Sequence, residues 1–156
     1  MAGTFRLTLA QLNPTVGDFA GNAAKARAAW SEGKAAGADM VALPEMFITG
    51  YQTQDLVMKP AFTAEAETWI AMLAEDCADG PALALGGPWR DRQGLLYNAY
   101  LVLQGGQVRA RVLKHHLPND TVFDEERLFE SAPVSGPYVV NGVRIGTPIC
   151  EDAWFD

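Results

Sequence analysis

Three side chains of complementary chemistry each follow a short apolar run. Glu45 follows Val41-Ala42-Leu43-Pro44, Lys114 follows Val112-Leu113, and Cys150 follows Gly146-Thr147-Pro148-Ile149. Such runs read as strands, and a side chain at a strand end is held by a rigid sheet while it faces a cleft. A thiol of pKa about 8.5 is mostly protonated at neutral pH, so a nucleophilic cysteine needs a base or a nearby cation. Glu45 can take the proton. Lys114 can stabilise both the thiolate and the oxyanion formed when sulfur attacks a carbonyl. With an amide, Glu45 would then protonate the departing amine and later activate water against the thioester. A carboxylate, a cation and a thiol therefore make a workable amide-cleaving set.

Each residue also has an ordinary reading. A lone cysteine near a strand end is commonly a small buried hydrophobe, Glu45 a loop or helix-start carboxylate, and Lys114 a solvated cation. His115 and His116 offer a base for a Cys-His pair, but adjacent histidines in a polar loop are expected to face solvent. Glu151, Asp152 and Asp156 form an acidic group with no His or Cys at ligand spacing, so no metal site is expected. Asp124-Glu125-Glu126 reads most simply as a solvated loop or helix start. No Gly-x-x-x-x-Gly-Lys loop followed by Ser or Thr occurs, so ATP chemistry has no visible place in these residues.

The elements that must position the trio follow from periodicity and breakers. Phe5 to Leu12 reads as a strand stopped by Asn13-Pro14. Asp18 is placed to cap a helix from Phe19 to Ala36, with Phe19, Ala23, Ala26 and Trp30 on its apolar face and Gly37 closing it. Asp39 to Leu43 is a short buried strand. Thr63 to Ala78 is a second amphipathic helix, with Trp69, Ile70, Leu73 and Cys77 inward and Gly80-Pro81 as its stop. Ala82 to Leu85 is a strand, after which Gly86-Gly87-Pro88 is expected to turn the chain. Leu95 to Leu103 and Val108 to Leu113 form a hairpin about Gly105-Gly106. A polar loop covers His115 to Val134. Tyr138 to Val140 and Val143 to Ile149 form a second hairpin about Asn141-Gly142. Strand, helix, strand, helix, then strands indicates an α/β layered domain.

Composition agrees. The 156 residues carry 12 basic and 19 acidic side chains, a net charge of −7, which suits nucleic acid poorly. The densest basic stretch, Arg109 to His116, holds no aromatic for base stacking. No apolar run reaches membrane-spanning length, and Arg6 interrupts the first apolar stretch, so neither a membrane span nor a secretory signal is expected. Two cysteines make no disulfide framework and suit a reducing, cytoplasmic setting.

The motifs also resemble a known family. Leu43-Pro44-Glu45-Met46-Phe47, with Thr49-Gly50-Tyr51 behind it, resembles the glutamate segment of the nitrilase (carbon–nitrogen hydrolase) superfamily. Lys114 to Asn119, continuing through Val122-Phe123-Asp124-Glu125-Glu126-Arg127-Leu128-Phe129, resembles the lysine loop of the glutaminase domain of glutamine-dependent NAD synthetases. Ile149-Cys150-Glu151-Asp152-Ala153-Trp154 is similar to that family's cysteine elbow. Ala10 to Asp18 and Tyr97-Asn98-Ala99 fit as well, and the matches keep family order.

The resemblance implies roles. Glu45 would be the general base, Lys114 the stabiliser of the tetrahedral intermediate, and Cys150 the nucleophile that forms a glutamyl thioester. Glu125 would support the lysine and help position substrate, and Tyr51, Phe123 and Trp154 would line the glutamine pocket. The implied fold is an αββα sandwich, expected to be incomplete at the C-terminal side because only six residues follow Cys150. Residues 1–156 are thus expected to be the N-terminal part of a glutamine amidohydrolase domain that exposes apolar sheet surface. Its ammonia would pass to a separate synthetase domain, absent here, which uses ATP and magnesium to amidate deamido-NAD. The glutaminase reaction itself needs no cofactor, and such proteins are typically homo-oligomers. The alternatives are an amidase for another small amide, or a non-catalytic assembly module. Asp120 stands where close relatives often carry an aromatic, and Thr121 replaces the usual Gly, which is expected to alter the turn.

Overall fold

The computed structural model describes residues 4–155. Five strands form the main sheet: β1 (Leu7–Leu9), β2 (Met40–Ala42), β3 (Ala82–Arg90), β4 (Leu96–Gln104) and β5 (Gln107–Leu113), lying side by side in that order. β1, β2 and β3 run parallel, and β3, β4 and β5 antiparallel. The parallel connections are made by helices α1 (Phe19–Ala35) and α2 (Pro60–Asp76), as crossovers between parallel strands require.

Alternation along the strands divides two apolar layers. In β3, Leu83 and Leu85 join the core under the helices, while Ala82 and Ala84 face the other side of the sheet. The helical layer buries Ala23, Ala26 and Ala29 of α1 and Ala66, Ile70, Leu73 and Ala74 of α2 against that first face. Small residues on α1 let the helix lie close to the sheet; Gly33 has no room for a Cβ against the side chain of Val41. Asp18 caps α1, its carboxylate accepting from Gly21 N–H at 2.9 Å, a contact worth about 1 kcal/mol. On the opposite face the hairpin β6 (Tyr138–Val140) and β7 (Val143–Ile145) packs Val140, Tyr138 and Ile145 near Met40, Tyr100 and Val102. Beside it Leu7 and Leu9 of β1 are 50% and 74% exposed, in line with the expected apolar sheet surface.

The structure corrects several expectations. The first strand is only Leu7–Leu9. Helix α2 begins three residues early because Pro60 opens its first turn, where a missing N–H costs nothing. The turn expected at Gly86-Gly87-Pro88 does not form; β3 runs straight through it to Arg90, paired with β4. Pro88 is tolerated there because β2 pairs with β3 only as far as Ala84, leaving that stretch an edge on one side. Gly86 serves close approach instead, since a Cβ on it would fall 2.6 Å from Cα of Glu45. The Gly105-Gly106 and Asn141-Gly142 hairpins form as expected, with positive φ at all four positions. The second strand of the last hairpin stops at Ile145 rather than Ile149. No helix among the described residues is long and apolar enough to cross a membrane.

Candidate active site

Glu45 lies three residues past the end of β2, on a segment pinned to β3 by two backbone bonds. Gly86 N–H donates to Pro44 O at 3.0 Å, and Ile48 N–H to Gly86 O at 3.2 Å. Lys114 directly follows β5, and its N–H donates to Asn98 O of β4 at 2.9 Å. The sheet therefore carries both the acid, pinned to β3, and the cation, pinned to β4.

The ammonium of Lys114 has no solvent exposure. It donates to Glu45 Oε1 at 2.9 Å and to Glu125 Oε1 and Oε2 at 3.0 and 2.8 Å. Asn98 Nδ2 donates to the same Glu45 Oε1 at 2.7 Å. With both bonds on Oε1, Oε2 is the oxygen available to exchange a proton. Burial alone would lower the Lys114 pKa, but the Glu45 charge and the bonds to Glu125 and Glu45 outweigh it, and the value lies above 10.5. Glu125 goes the other way for a carboxylate next to a cation: burial raises its pKa above 4.5 despite Lys114. One cation thus faces two carboxylates. Glu125, in a run that reads as a solvated loop, is nearly fully buried.

Cys150 opens a single 3₁₀ turn, Cys150–Ala153, with φ of +49°. That left-handed conformation is uncommon for a residue with a side chain and marks a sharp elbow. The elbow lies five residues beyond β7, so Cys150 does not directly follow a strand. The residue as a whole is exposed, yet partial burial of the thiol and then the Glu45 charge raise its pKa above 9.0, against the opposing pull of Lys114. The pull of Lys114 on the thiol is thus outweighed by burial and Glu45, and a base beside it would assist attack.

Tyr51 and Glu125 line one cleft together with Met46, Asn98, Asp124 and Phe129. Phe123 is half-buried in the lysine loop. Trp154 is 79% exposed and does not line the cleft that holds Tyr51 and Glu125, so this structure does not bring it there. Asp120 is exposed. Thr121 adopts φ of +53°, so the turn keeps the conformation glycine would favour. His115 and His116, expected to face solvent, are half-buried; His115 Nδ1 lies 2.5 Å from Ala132 O, and His116 packs on Phe155 at 4.3 Å. No group of three or more metal-ligating side chains gathers among the described residues.

Two further residues belong to the site that stand within the motifs but take no role from the sequence. Asn98 is almost fully buried in β4, and the signal for it is one amide inside the apolar run Leu96 to Leu103. Asp152 accepts from the backbone N–H groups of His115, His116 and Ile149.

Residues 6–156 match the carbon-nitrogen hydrolase family. The chain belongs to that family. This carbon-nitrogen hydrolase chain is 62% identical over 154 residues to a glutamine-dependent NAD(+) synthetase of Rhodobacter capsulatus, spanning 99% of itself and 28% of that protein. A synthetase of the same description from Thermotoga maritima is 36% identical over 149 residues, covering 96% of this chain and 26% of the relative. Among solved structures, the glutamine-dependent NAD+ synthetase of Acinetobacter baumannii superposes with a TM-score of 0.89 at 30% identity, over 96% of this chain and 28% of that one. An amidase from Nesterenkonia sp. AN1 shares the fold, with a TM-score of 0.75 at 18% identity over 90% of this chain and 55% of the amidase. The described residues supply a helical layer, a five-stranded sheet and a hairpin of a nitrilase-type sandwich.

Proposed function

We infer that this chain is the glutamine-hydrolysing part of a glutamine-dependent NAD synthetase, and that residues 1–156 are the N-terminal part of its amidohydrolase domain. One observation carries the catalytic reading: a fully buried lysine bonded to both Glu45 and Glu125, with all three charges acting on the Cys150 thiol. The 62% identity to a synthetase named for glutamine dependence supports the substrate.

Sγ of Cys150 attacks the side-chain carbonyl carbon of glutamine while its proton passes to Glu45. Negative charge collects on the carbonyl oxygen, where the fixed ammonium of Lys114 stabilises it. The tetrahedral intermediate collapses, Glu45 gives its proton to the leaving nitrogen, and ammonia departs from a glutamyl thioester. Glu45 next takes a proton from water as the water oxygen attacks the thioester. Collapse releases glutamate and returns the proton to sulfur. These steps need no cofactor. Glu125 holds the lysine in place, and Tyr51 lines the substrate cleft. The ammonia would serve ATP- and magnesium-dependent amidation of deamido-NAD by a synthetase domain of the same protein, in a cytoplasmic homo-oligomer.

The test is Cys150→Ala in the full-length protein. Glutamine-dependent NAD synthesis should disappear while ammonia-dependent synthesis persists. Equal loss of both, or unimpaired use of glutamine, would overturn the reading.

A further inference from the structure

The cysteine elbow and the lysine segment come from distant parts of the chain, and no strand pairing among the described residues joins them. β7 ends at Ile145 and, among the described residues, pairs only with β6, so the sheet does not fix Cys150 directly. Within the elbow, Asp152 N–H donates to Ile149 O at 3.1 Å and Trp154 N–H to Glu151 O at 2.9 Å, and both bonds are local. The tie between the segments is the Asp152 carboxylate. Oδ1 accepts from His116 N–H at 2.7 Å and His115 N–H at 3.1 Å. Oδ2 accepts from Ile149 N–H at 3.3 Å, with a longer approach from His115 N–H at 3.4 Å.

One carboxylate therefore bonds the residue that follows Lys114 and the residue that precedes Cys150. Hydrogen bonds from backbone N–H to an ionised acceptor are stronger than neutral ones, and several converging on one side chain fix direction as well as distance. The contact of His116 with Phe155, at 4.3 Å between rings, closes the same junction from the far side of the elbow.

The geometry points to Asp152 as the positioning residue that sets where the Cys150 thiol stands relative to Lys114 and Glu45. It touches neither substrate nor the reacting atoms; it acts through two backbone segments. This inference rests on Cys150 being the attacking group, but not on glutamine being the substrate. An error of about 1 Å in such a distance can cost on the order of a hundredfold in rate.

The charged groups acting on the thiol are Glu45, Lys114 and Glu125, with Glu151 contributing a backbone hydrogen bond. Loosening the elbow should weaken their hold. The experiment compares wild type, Asp152→Ala, Asp152→Asn and Asp152→Glu in the full-length protein. It reads the rate of Cys150 alkylation by iodoacetamide across pH (sulfur displacing iodide), kcat and KM for glutamine, and the melting temperature. Asp152→Ala should move the alkylation profile to lower pH, towards an ordinary thiol. It should lower kcat by about ten- to a hundredfold and change KM by less than about threefold. Asp152→Asn keeps a carbonyl acceptor for His116 N–H and should recover most of kcat. If Asp152→Ala does not fold, Asp152→Glu carries the comparison, because its longer reach must displace the elbow and shift the same profile. A lowered melting temperature with an unmoved alkylation profile and unmoved kcat would mean a purely structural role and overturn the proposal. A wild type that hydrolyses a different amide would overturn the glutamine reading, while the alkylation profiles would still judge Asp152.

Discussion

Nζ of Lys114 donates to Oε1 of Glu45 at 2.9 Å, although the two residues lie 69 positions apart. The same ammonium serves both oxygens of Glu125, so a single fully buried cation offsets two carboxylates. Buried ion pairs seldom repay their desolvation in stability alone. In the proposed reaction their value lies in a fixed charge that would meet a developing oxyanion without reorganisation.

Replacing Glu45 with Gln should separate catalysis from thiol reactivity. Glutamine hydrolysis should fall by about 10²- to 10⁴-fold, since the proposed general base is gone. The Glu45 charge raises the Cys150 pKa, so its removal should shift the pH profile of iodoacetamide alkylation downward. A thiol that becomes easier to ionise in a slower enzyme is the expected signature, read by alkylation rates and steady-state kinetics on the same preparation.

Lys114→Met leaves two carboxylates without their cation and should destabilise the protein by about 3–5 kcal/mol. Combining it with Glu125→Gln should cost less than the two changes summed, because each removes part of the other's penalty. Denaturant titration of the three variants measures this coupling.

Glu125 also sets a pH dependence. Its folded pKa is raised above 4.5, chiefly by burial, so the folded state binds this proton more readily than the unfolded chain. Its contribution is fully present below 4.5 and is lost as pH rises through the higher folded value. Lys114 behaves alike at the alkaline end: its contribution is complete below 10.5 and lost as pH rises through its raised folded value. Melting temperatures of Glu125→Gln should therefore depend less on pH than wild type in the weakly acidic range just above 4.5.

Gly86→Ala should act on chemistry from beneath. The added methyl would meet the backbone of Glu45 and Met46, which cannot swing aside as a side chain can. A loss of about 1–3 kcal/mol is expected, with at least tenfold slower hydrolysis as Glu45 shifts. Gly136→Ala, where the new methyl meets nothing within 4 Å, is the matched control and should be neutral in both assays.

The two cysteines should separate cleanly. Cys77 is 2% exposed and burial pushes its thiol up to about 11, whereas Cys150 is exposed on its elbow. Iodoacetamide at neutral pH should modify Cys150 alone in the native protein and both after unfolding, as peptide mass spectrometry would show.

Much of this was legible in residue order. Helix α1 and its Asp18 cap, both Gly-containing hairpins and the placing of Glu45 and Lys114 beside β2 and β5 follow from periodicity and turn chemistry, which act over a few residues. The misreadings share a cause. Gly86-Gly87-Pro88 carries every local mark of a turn, yet its glycines make room for a segment 40 residues earlier in the chain. Glu125 sits in an acidic run typical of a solvated loop, and only Lys114 arriving from β5 gives it a reason to be buried.

Residue types and their spacing thus establish a carboxylate, a cation and a thiol on an α/β frame, because strand ends and helix caps are local events. Which oxygen each cation holds, how one lysine is shared between two acids, and how Asp152 ties the Cys150 elbow to the Lys114 segment are settled by the folded chain. Those relations depend on distances between segments far apart in sequence, and such distances exist only once sheet, helices and loops have packed.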